Sequence, residues 1–372
     1  MVSKVVEKAA AVQLTNYVTA QHLDVMFQSA YKTYHSTETA LIKVQNDILC
    51  AIDNNKSVLL LLLDLSAAFD TVNHSTLLSR LSERFGVKRN ALAWFESYLT
   101  CREQFVHVDG CKSTLWHVRR GVPQGSVLGP LLYVLYTSPI ADIFNLHYHL
   151  CADDTQLYVT FKTDSNEDIK SVKSKVEDCA RNIDYWMVDN GLKLNQDKTE
   201  LIVISSKYRP EPVLDSVQVG DERITPKSSA RNLGVIFDNR MSLNEHIAKI
   251  CKSSQYHLRN IGKIRKLLDQ NTTEILLHAF VSSKLDNCNA LLFGLPKYQL
   301  NRLQLIQNTA ARISTLTKKY DHVTPVLIKL HWLPVHFRIL FKVNLLVYKG
   351  LNGLAPGYIS DILSYLFSLT TI

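Results

Sequence analysis

The order of apolar patterns predicts an α+β domain followed by a mainly helical one, with the junction near residues 240–245. Three observations carry that prediction. Val58 to Leu63 is a short apolar run after the turn signal Asn54-Asn55, and the stretch to Leu65 reads as a buried strand. Two later stretches alternate about a tight turn, as hairpins do. Beyond about residue 245 the periodicity becomes helical and the charge basic: Lys249, Lys252, Arg259, Lys263, Arg265 and Lys266 fall within eighteen residues.

Taken in order, Ser36 can cap a helix whose apolar positions Leu41, Val44, Ile48 and Ile52 recur at helical spacing. Asn54-Asn55 ends it, and Val58 to Leu65 reads as a fully buried strand. A second helix carries Leu77, Leu78, Leu81 and Phe85 and stops at Gly86. Phe105–Val108 and Thr114–Val118 form a hairpin turning at Asp109-Gly110. A Gly-Pro-rich loop, Gly121 to Pro130, leads into an apolar helix from Leu131 to about Ile140. Tyr148–Ala152 and Thr155–Thr160 pair as a second hairpin with Asp153-Asp154 at its tip. Ile169, Val172, Val176, Cys179, Ile183 and Trp186 share one face of a long helix that Gly191 stops. Leu192–Asn195 and Glu200–Ser205 read as short strands.

Composition narrows the class. The 372 residues are 46% apolar and 20% charged, an ordinary globular balance that excludes disorder and fibrous repeats. The formal charge of +8, from 42 Lys+Arg against 34 Asp+Glu, suits a polyanionic partner. Seven scattered cysteines include no Cys-x-x-Cys pair, so neither a zinc knuckle nor a disulfide framework is indicated. Reduced thiols fit an intracellular protein, nuclear or cytoplasmic. The longest apolar run, Val58 to Leu63, is far short of the roughly 20 residues that span a bilayer, and no signal-peptide pattern opens the chain.

The carboxylates are the candidate chemistry. Asp64 ends an apolar strand, and Asp153 and Asp154 sit where another strand turns back. A carboxylate at the end of a buried strand is costly unless its charge is compensated. Side by side, such elements assemble hard oxygen ligands of the kind Mg²⁺ takes. Alone, Asp153-Asp154 reads as an acidic turn and Asp64 as a strand end. The combination decides.

The segment Leu62-Leu63-Asp64-Leu65-Ser66-Ala67-Ala68-Phe69-Asp70-Thr71-Val72-Asn73-His74 closely resembles motif A of reverse transcriptases from LINE-type (non-LTR) retrotransposons, the jockey-like clades above all. Gly121 to Pro130 resembles their motif B, and Cys151-Ala152-Asp153-Asp154-Thr155-Gln156-Leu157-Tyr158 their motif C. Gly191 to Asn195 with Lys198-Thr199-Glu200 resembles motif D, and Asn232-Leu233-Gly234-Val235 resembles motif E, the primer grip. Segments Leu285–Leu292 and His331–Val335 resemble stretches downstream of the polymerase. Five motifs in the family's order cover roughly residues 27 to 240; each alone would be weak.

The resemblance implies a right-hand polymerase, with partial fingers over residues 1–56 and a palm with inserted fingers elements over 57–240. A helical thumb would follow over 241–320, and a truncated C-terminal helical segment over 321–372. It implies an RNA-directed DNA polymerase whose partners are an RNA template, a DNA primer, their RNA–DNA hybrid and dNTPs. Its cofactor would be two Mg²⁺ ions, with Mn²⁺ as substitute. Asp64 and Asp153 would be the principal metal ligands, with Leu65 beside them, and Asp154 the third catalytic carboxylate. Phe69, five residues after Asp64, would be the steric gate against a 2′-hydroxyl. Gln124 would contact the incoming nucleotide or template, and Gly125 would let the backbone approach it. Lys198 would be the general acid for pyrophosphate, and Leu233 and Gly234 the primer grip. Read singly, Phe69 is core packing, Lys198 a surface charge, and the glycine loop an ordinary turn.

The chain departs from the pattern at Cys151, where an aromatic is usual. Phe27-Gln28-Ser29-Ala30-Tyr31-Lys32 resembles the family's Gln-x-Gly-Phe-Arg segment. Lys32 there keeps a charge for the triphosphate and loses arginine's fork. The chain also opens where the first fingers motif ends, as an N-terminally truncated copy would. Two readings follow: a working polymerase, or a non-catalytic remnant that keeps the fold and nucleic-acid binding. A viral RNA-dependent RNA polymerase is disfavoured by Ala152 before the Asp pair and by Phe69.

Overall fold

The computed structural model describes residues 2–66, 69–162 and 165–370. Ala67 and Ala68 of the first motif lie outside the described residues. The chain forms two compact units, neither of them a continuous stretch of sequence. Residues 1–33, 57–201 and 211–226 make the first; residues 34–56, 202–210 and 227–372 make the second.

The first unit is built on the strand Ser57–Leu63, buried at every position. It pairs antiparallel with Asp154–Phe161, from Ser57 opposite Phe161 to Leu63 opposite Thr155. That strand pairs in turn with His147–Cys151, ending at Cys151 opposite Asp154. The central strand, predicted to run to Leu65, stops one residue before Asp64. Leu65–Ser66 then starts a new ladder with Lys193–Leu194. A carboxylate is poorly tolerated in a dry ladder, so the chain changes partner at Asp64.

Helices His74–Glu83, Gly129–Thr137 and Asn166–Asp189 pack around this sheet, as their apolar stripes predict. Arg80 fastens all three: its guanidinium donates to the Tyr136 carbonyl and the Asn190 side chain. The same group lies 4.6 Å from the centre of the Tyr136 ring and 5.3 Å from that of Trp186. Two helices were not predicted, Val2–Ala20 and Arg89–Leu99. The first leaves Val2, Val5, Val6 and Val12 exposed and buries Glu7, so no apolar stripe marks it.

In the second unit Ser36 caps helix Thr37–Asp53 through a reciprocal box with Thr39, and Asn54 closes it. Helix Asn244–Ile264 opens the helical part at the predicted junction. Asp238, buried, fixes the chain just before this helix, whose N-cap Leu243 has no capping side chain: its carboxylate accepts from Ser242 N at 2.9 Å and Leu243 N at 2.6 Å. Glu38 accepts from Ala290 N at 3.0 Å and pairs with Lys342 at 3.2 Å. Arg338 grips Asp286 with two donors. These ties hold Val335–Leu351 against the earlier segments and join residues 34–56 to the C-terminal helices. All seven cysteines are free. Among the described residues no helix is long and apolar enough to cross a membrane.

Glu7 gives a test of the first unit. Its carboxylate accepts from Val127 N at 2.6 Å and Leu128 N at 3.4 Å, at the start of helix Gly129–Thr137, which has no side-chain cap of its own. Glu7→Ala is expected to cost about 1 kcal/mol, typical of a lost cap with its helix-dipole attraction. Urea unfolding reads this directly; an unchanged midpoint would show that the contact contributes nothing.

Candidate active site

The pairing described above fixes where the predicted carboxylates fall. Asp64 follows Leu63, which faces Thr155, so it reaches the level of Asp154 on the neighbouring strand. Asp153 occupies the tip beside it, after Ala152 in a left-handed conformation (φ 59°). Asp64 and Asp153 are half-buried and Asp154 is exposed. Burial and then the charge of Asp64 push the Asp153 carboxyl above the usual range. Its backbone hydrogen bond and Lys198 oppose that.

Lys198 answers the negative charge. Its Nζ lies 2.9 Å from Asp64 Oδ2, and the contact raises the lysine above its ordinary value. It is held there by local structure. Asn195 N donates to the Asp64 carbonyl at 2.9 Å, and a short 3-10 turn over Gln196–Lys198 carries the side chain back. Leu65 enters this arrangement through its backbone, opposite Leu194.

Beneath the carboxylates lies Tyr133, fully buried, with a hydroxyl that has no hydrogen-bond partner among the described residues. Burial, then Asp153 and Asp64, drive its ionisation out of the physiological range. Phe69 packs on this ring, centroids 4.7 Å apart at 33°. The predicted gate residue therefore rests on a floor that feels both carboxylates.

The Gly-Pro loop is pinned to the same segment. Val122 N donates to the Phe69 carbonyl at 2.9 Å and Gly121 N to the Val72 carbonyl at 2.7 Å. His74, buried, bonds the Gly121 carbonyl at 2.8 Å. Gly121 has φ +87°, and a Cβ there would meet the Asp70 carbonyl oxygen at 2.9 Å, so only glycine fits. Gly125 also has positive φ (+77°) but faces open space. Gln124 gives its amide to both Asp70 oxygens, at 2.9 and 3.0 Å, and so is held by the first motif.

Lys32 is not brought to the carboxylates' electrostatic field. Its Nζ donates to the Val25 carbonyl at 2.7 Å and pairs with Asp24 at 3.3 Å. Burial pulls it below its ordinary value, against Asp24. The neighbouring Tyr31 feels Asp153 instead: burial first, then Asp153, raise its phenol. Leu233 and Gly234 form the tight turn between Ser229–Asn232 and Val235–Asp238 in the second unit, both at positive φ.

Sequence reading missed Gln28. Its buried Oε1 accepts from Ala30 N at 2.9 Å and Ala152 N at 3.2 Å, holding the turn that presents Asp153. Around it Ser29 N donates to the Leu150 carbonyl and Leu150 N to the Phe27 carbonyl, at 2.9 and 2.8 Å. The signal was present, because Gln28 is the first letter of the segment that resembles Gln-x-Gly-Phe-Arg.

Residues 1–237 match the model of the family described as reverse transcriptase (RNA-dependent DNA polymerase). The chain belongs to that family. Its fold is accordingly the α+β polymerase fold of reverse transcriptases. Among curated relatives it is 28% identical to the probable RNA-directed DNA polymerase from transposon X-element of Drosophila melanogaster. That match runs over 328 residues, 84% of this chain and 34% of that protein. It is 25% identical to the RNA-directed DNA polymerase from mobile element jockey of the same species, over 77% of this chain and 32% of that one. Kinship with the jockey-like reverse transcriptases, expected from the motifs, is thus borne out. The chain spans about a third of the length of these relatives. Among solved structures, apo telomerase from Candida tropicalis aligns over 95% of this chain and 61% of that one, at 13% identity and a TM-score of 0.44.

The raised Asp153 carboxyl has a stability consequence. A folded-state pKa above the unfolded one means that ionised Asp153 opposes folding, fully so at neutral pH. Asp153→Asn is therefore expected to melt higher than the parent at pH 7. The gap should narrow in mild acid, as the parent's own carboxyl takes up its proton. Differential scanning calorimetry at the two pH values checks this, and an equal or lower melting point at pH 7 would contradict it.

Proposed function

We propose that this chain is the polymerase core of an RNA-directed DNA polymerase, adding dNTPs to a primer 3′-hydroxyl opposite an RNA template. The observation that carries the reading is the meeting of Asp64 and Asp153 on neighbouring strand ends, with Lys198 on Asp64. The family and the named activities of the curated relatives support it.

Among the described residues no three His, Cys, Asp or Glu side chains are arranged to hold a metal ion. The donor set nonetheless fits Mg²⁺, which takes one or two carboxylates plus substrate phosphates rather than an all-protein cage. Asp64 and Asp153 would hold two such ions, with the Leu65 backbone and Asp154 beside them and Mn²⁺ as substitute. The ions would supply Lewis-acid stabilisation of the attacking and leaving oxygens.

The chain's own residues do the rest. Lys198, kept protonated by Asp64 and exposed enough to swing, donates a proton to the departing pyrophosphate. Phe69, backed by Tyr133, occupies the space a 2′-hydroxyl would need. The loop from Gly121 to Pro130, clamped to residues 69–74, sets the distance between nucleotide and carboxylates, and such positioning supplies much of the rate in phosphoryl transfer. In this reading Gln124 leaves Asp70 to touch the nucleotide or template, and Gly125 opens the backbone beside it. Leu233 and Gly234 grip the primer. The partial fingers lie over residues 1–56, the palm over 57–240, the thumb over 241–320 and the last helical segment over 321–372.

Primer extension on an RNA template with dNTPs and Mg²⁺ tests this, comparing the chain with Asp153→Asn. Extension by the parent alone is expected. No extension by either protein, with binding to an RNA–DNA hybrid retained, would leave the non-catalytic remnant as the correct reading.

The gate has its own test. Phe69→Val is expected to raise rNTP incorporation relative to dNTP by roughly ten- to two-hundredfold, the range for one removed steric contact. Unchanged rejection of rNTPs in the same assay would remove Phe69 from the role.

A further inference from the structure

The hairpin between the first motif and the Gly-Pro loop has no part in the site above, yet it exposes large apolar side chains. Arg102, Glu103 and Gln104 pair with Val118, His117 and Trp116. His107 and Val108 then pair with Lys112 and Cys111 around the Asp109-Gly110 turn. The two ladders are offset by one residue, which places a bulge near Phe105 and Leu115. Every residue from Glu103 to His117 is exposed. Phe105, Val106, Val108, Leu115 and Trp116 are 47, 66, 60, 61 and 71% exposed. Soluble surfaces rarely carry such a patch without a partner.

The charge around these side chains selects the partner. Over residues 102–120 there are four Lys+Arg (Arg102, Lys112, Arg119, Arg120) against two acids (Glu103, Asp109). Lys112 Nζ stands 5.2 Å above the Phe105 ring. At the root of the arm a groove of about 510 Å³ is lined by His74, Arg102, His117 and Arg119 together with one acid, Glu96, and His117 also stands 3.3 Å from Glu103. Cations at the root and aromatic faces along the arm are the two halves of single-strand recognition: phosphates on the cations, bases stacked on the rings. A duplex keeps its base faces covered, and the deep major groove of A-form RNA does not admit side chains.

We propose that the Arg102–Val118 arm is a binding surface for single-stranded nucleic acid, the unpaired RNA template in the first place, with Trp116 as its stacking platform and Arg102 and Arg119 on the phosphates. The assignment of RNA as the strand rests on the polymerase reading above. The arm's chemistry would serve unpaired DNA as well.

Fluorescence anisotropy with the full chain and labelled single-stranded RNA, single-stranded DNA and blunt RNA duplex tests the proposal. Trp116→Ala is expected to weaken single-strand binding roughly tenfold or more and duplex binding little, because stacking acts only on unpaired bases. Trp116→Tyr should restore most of the affinity. Arg119→Gln should reduce the salt dependence by about one phosphate contact. Weaker single-stranded DNA binding in step with RNA keeps the surface and broadens its ligand. Equal losses on single strand and duplex would overturn the proposal, as would unchanged single-strand binding by Trp116→Ala. So would a parent chain that binds no single strand at all. A Trp116-dependent dimer with RNA binding unaltered would overturn it and assign the arm to self-association. Primer extension judges the polymerase reading separately: a chain that binds RNA through Trp116 but extends nothing loses the activity and keeps this surface.

Discussion

Two like-charged carboxylates held within each other's field in a half-buried place constrain everything around them. Burial first, and then the charge of Asp64, raise the cost of an ionised Asp153. Such a pair persists only when its supports are rigid enough to prevent the side chains from drifting apart into solvent. The central strand provides that rigidity, with every position buried and a fixed register against the strand that begins at Asp154. The change of ladder partner after Leu63 follows from the same constraint. A continued dry ladder would bury Asp64 further, whereas the switch to Lys193–Leu194 brings the Lys198 turn within reach.

The supports come from distant parts of the sequence, and each satisfies a backbone group that the geometry would otherwise strand. Gln28 accepts from Ala152 N, in the left-handed turn before Asp153. His74 bonds the Gly121 carbonyl, and Glu7 takes the free amides where the next helix starts. An unmet buried amide or carbonyl costs roughly 1–3 kcal/mol, so these contacts fix conformation as much as they add stability. Hence the loop from Gly121 and the tip at Asp153 are each tied to a fixed neighbour: the first to residues 69–74, the second to residues 27–30.

How much of this was legible depended on whether a residue's role was local. Asp64 at a strand end, Asp153 at a hairpin tip, Ser36 at a helix start and Gly191 at a helix stop are all written in their immediate neighbours, and the structure places each as read. The helix Val2–Ala20 was not legible, because its buried side includes Glu7 with only Leu14 and Val18 as apolar partners, while Val2, Val5, Val6 and Val12 face outward. Pairings such as Glu7 with Val127, 120 residues apart, leave no periodic trace. Lys32 and Gln124 show the other limit. Their residue types suit a phosphate and a base, but only the fold reveals that Asp24 and Asp70 already hold them. Asp70 itself sits inside the quoted motif and drew no role there.

The cations divide along the same line between holding and moving. Arg80 and Arg265 are committed to fixed acceptors: Arg80 to Tyr136 and Asn190, Arg265 to the carbonyls of Ile313 and Ser314. Guanidinium suits such work, since its planar fork meets several acceptors at once and stays charged. Lys198 is the opposite case, with a side chain two-thirds exposed and paired with Asp64. Displacing so exposed an ion pair costs little, because solvent and salt already screen it. A counter-charge held in this way neutralises Asp64 and is easily given up when a stronger charge competes for it. A forked arginine in its place would grip the Asp64 carboxylate with two donors and hold it more firmly than a single ammonium on a flexible stem does.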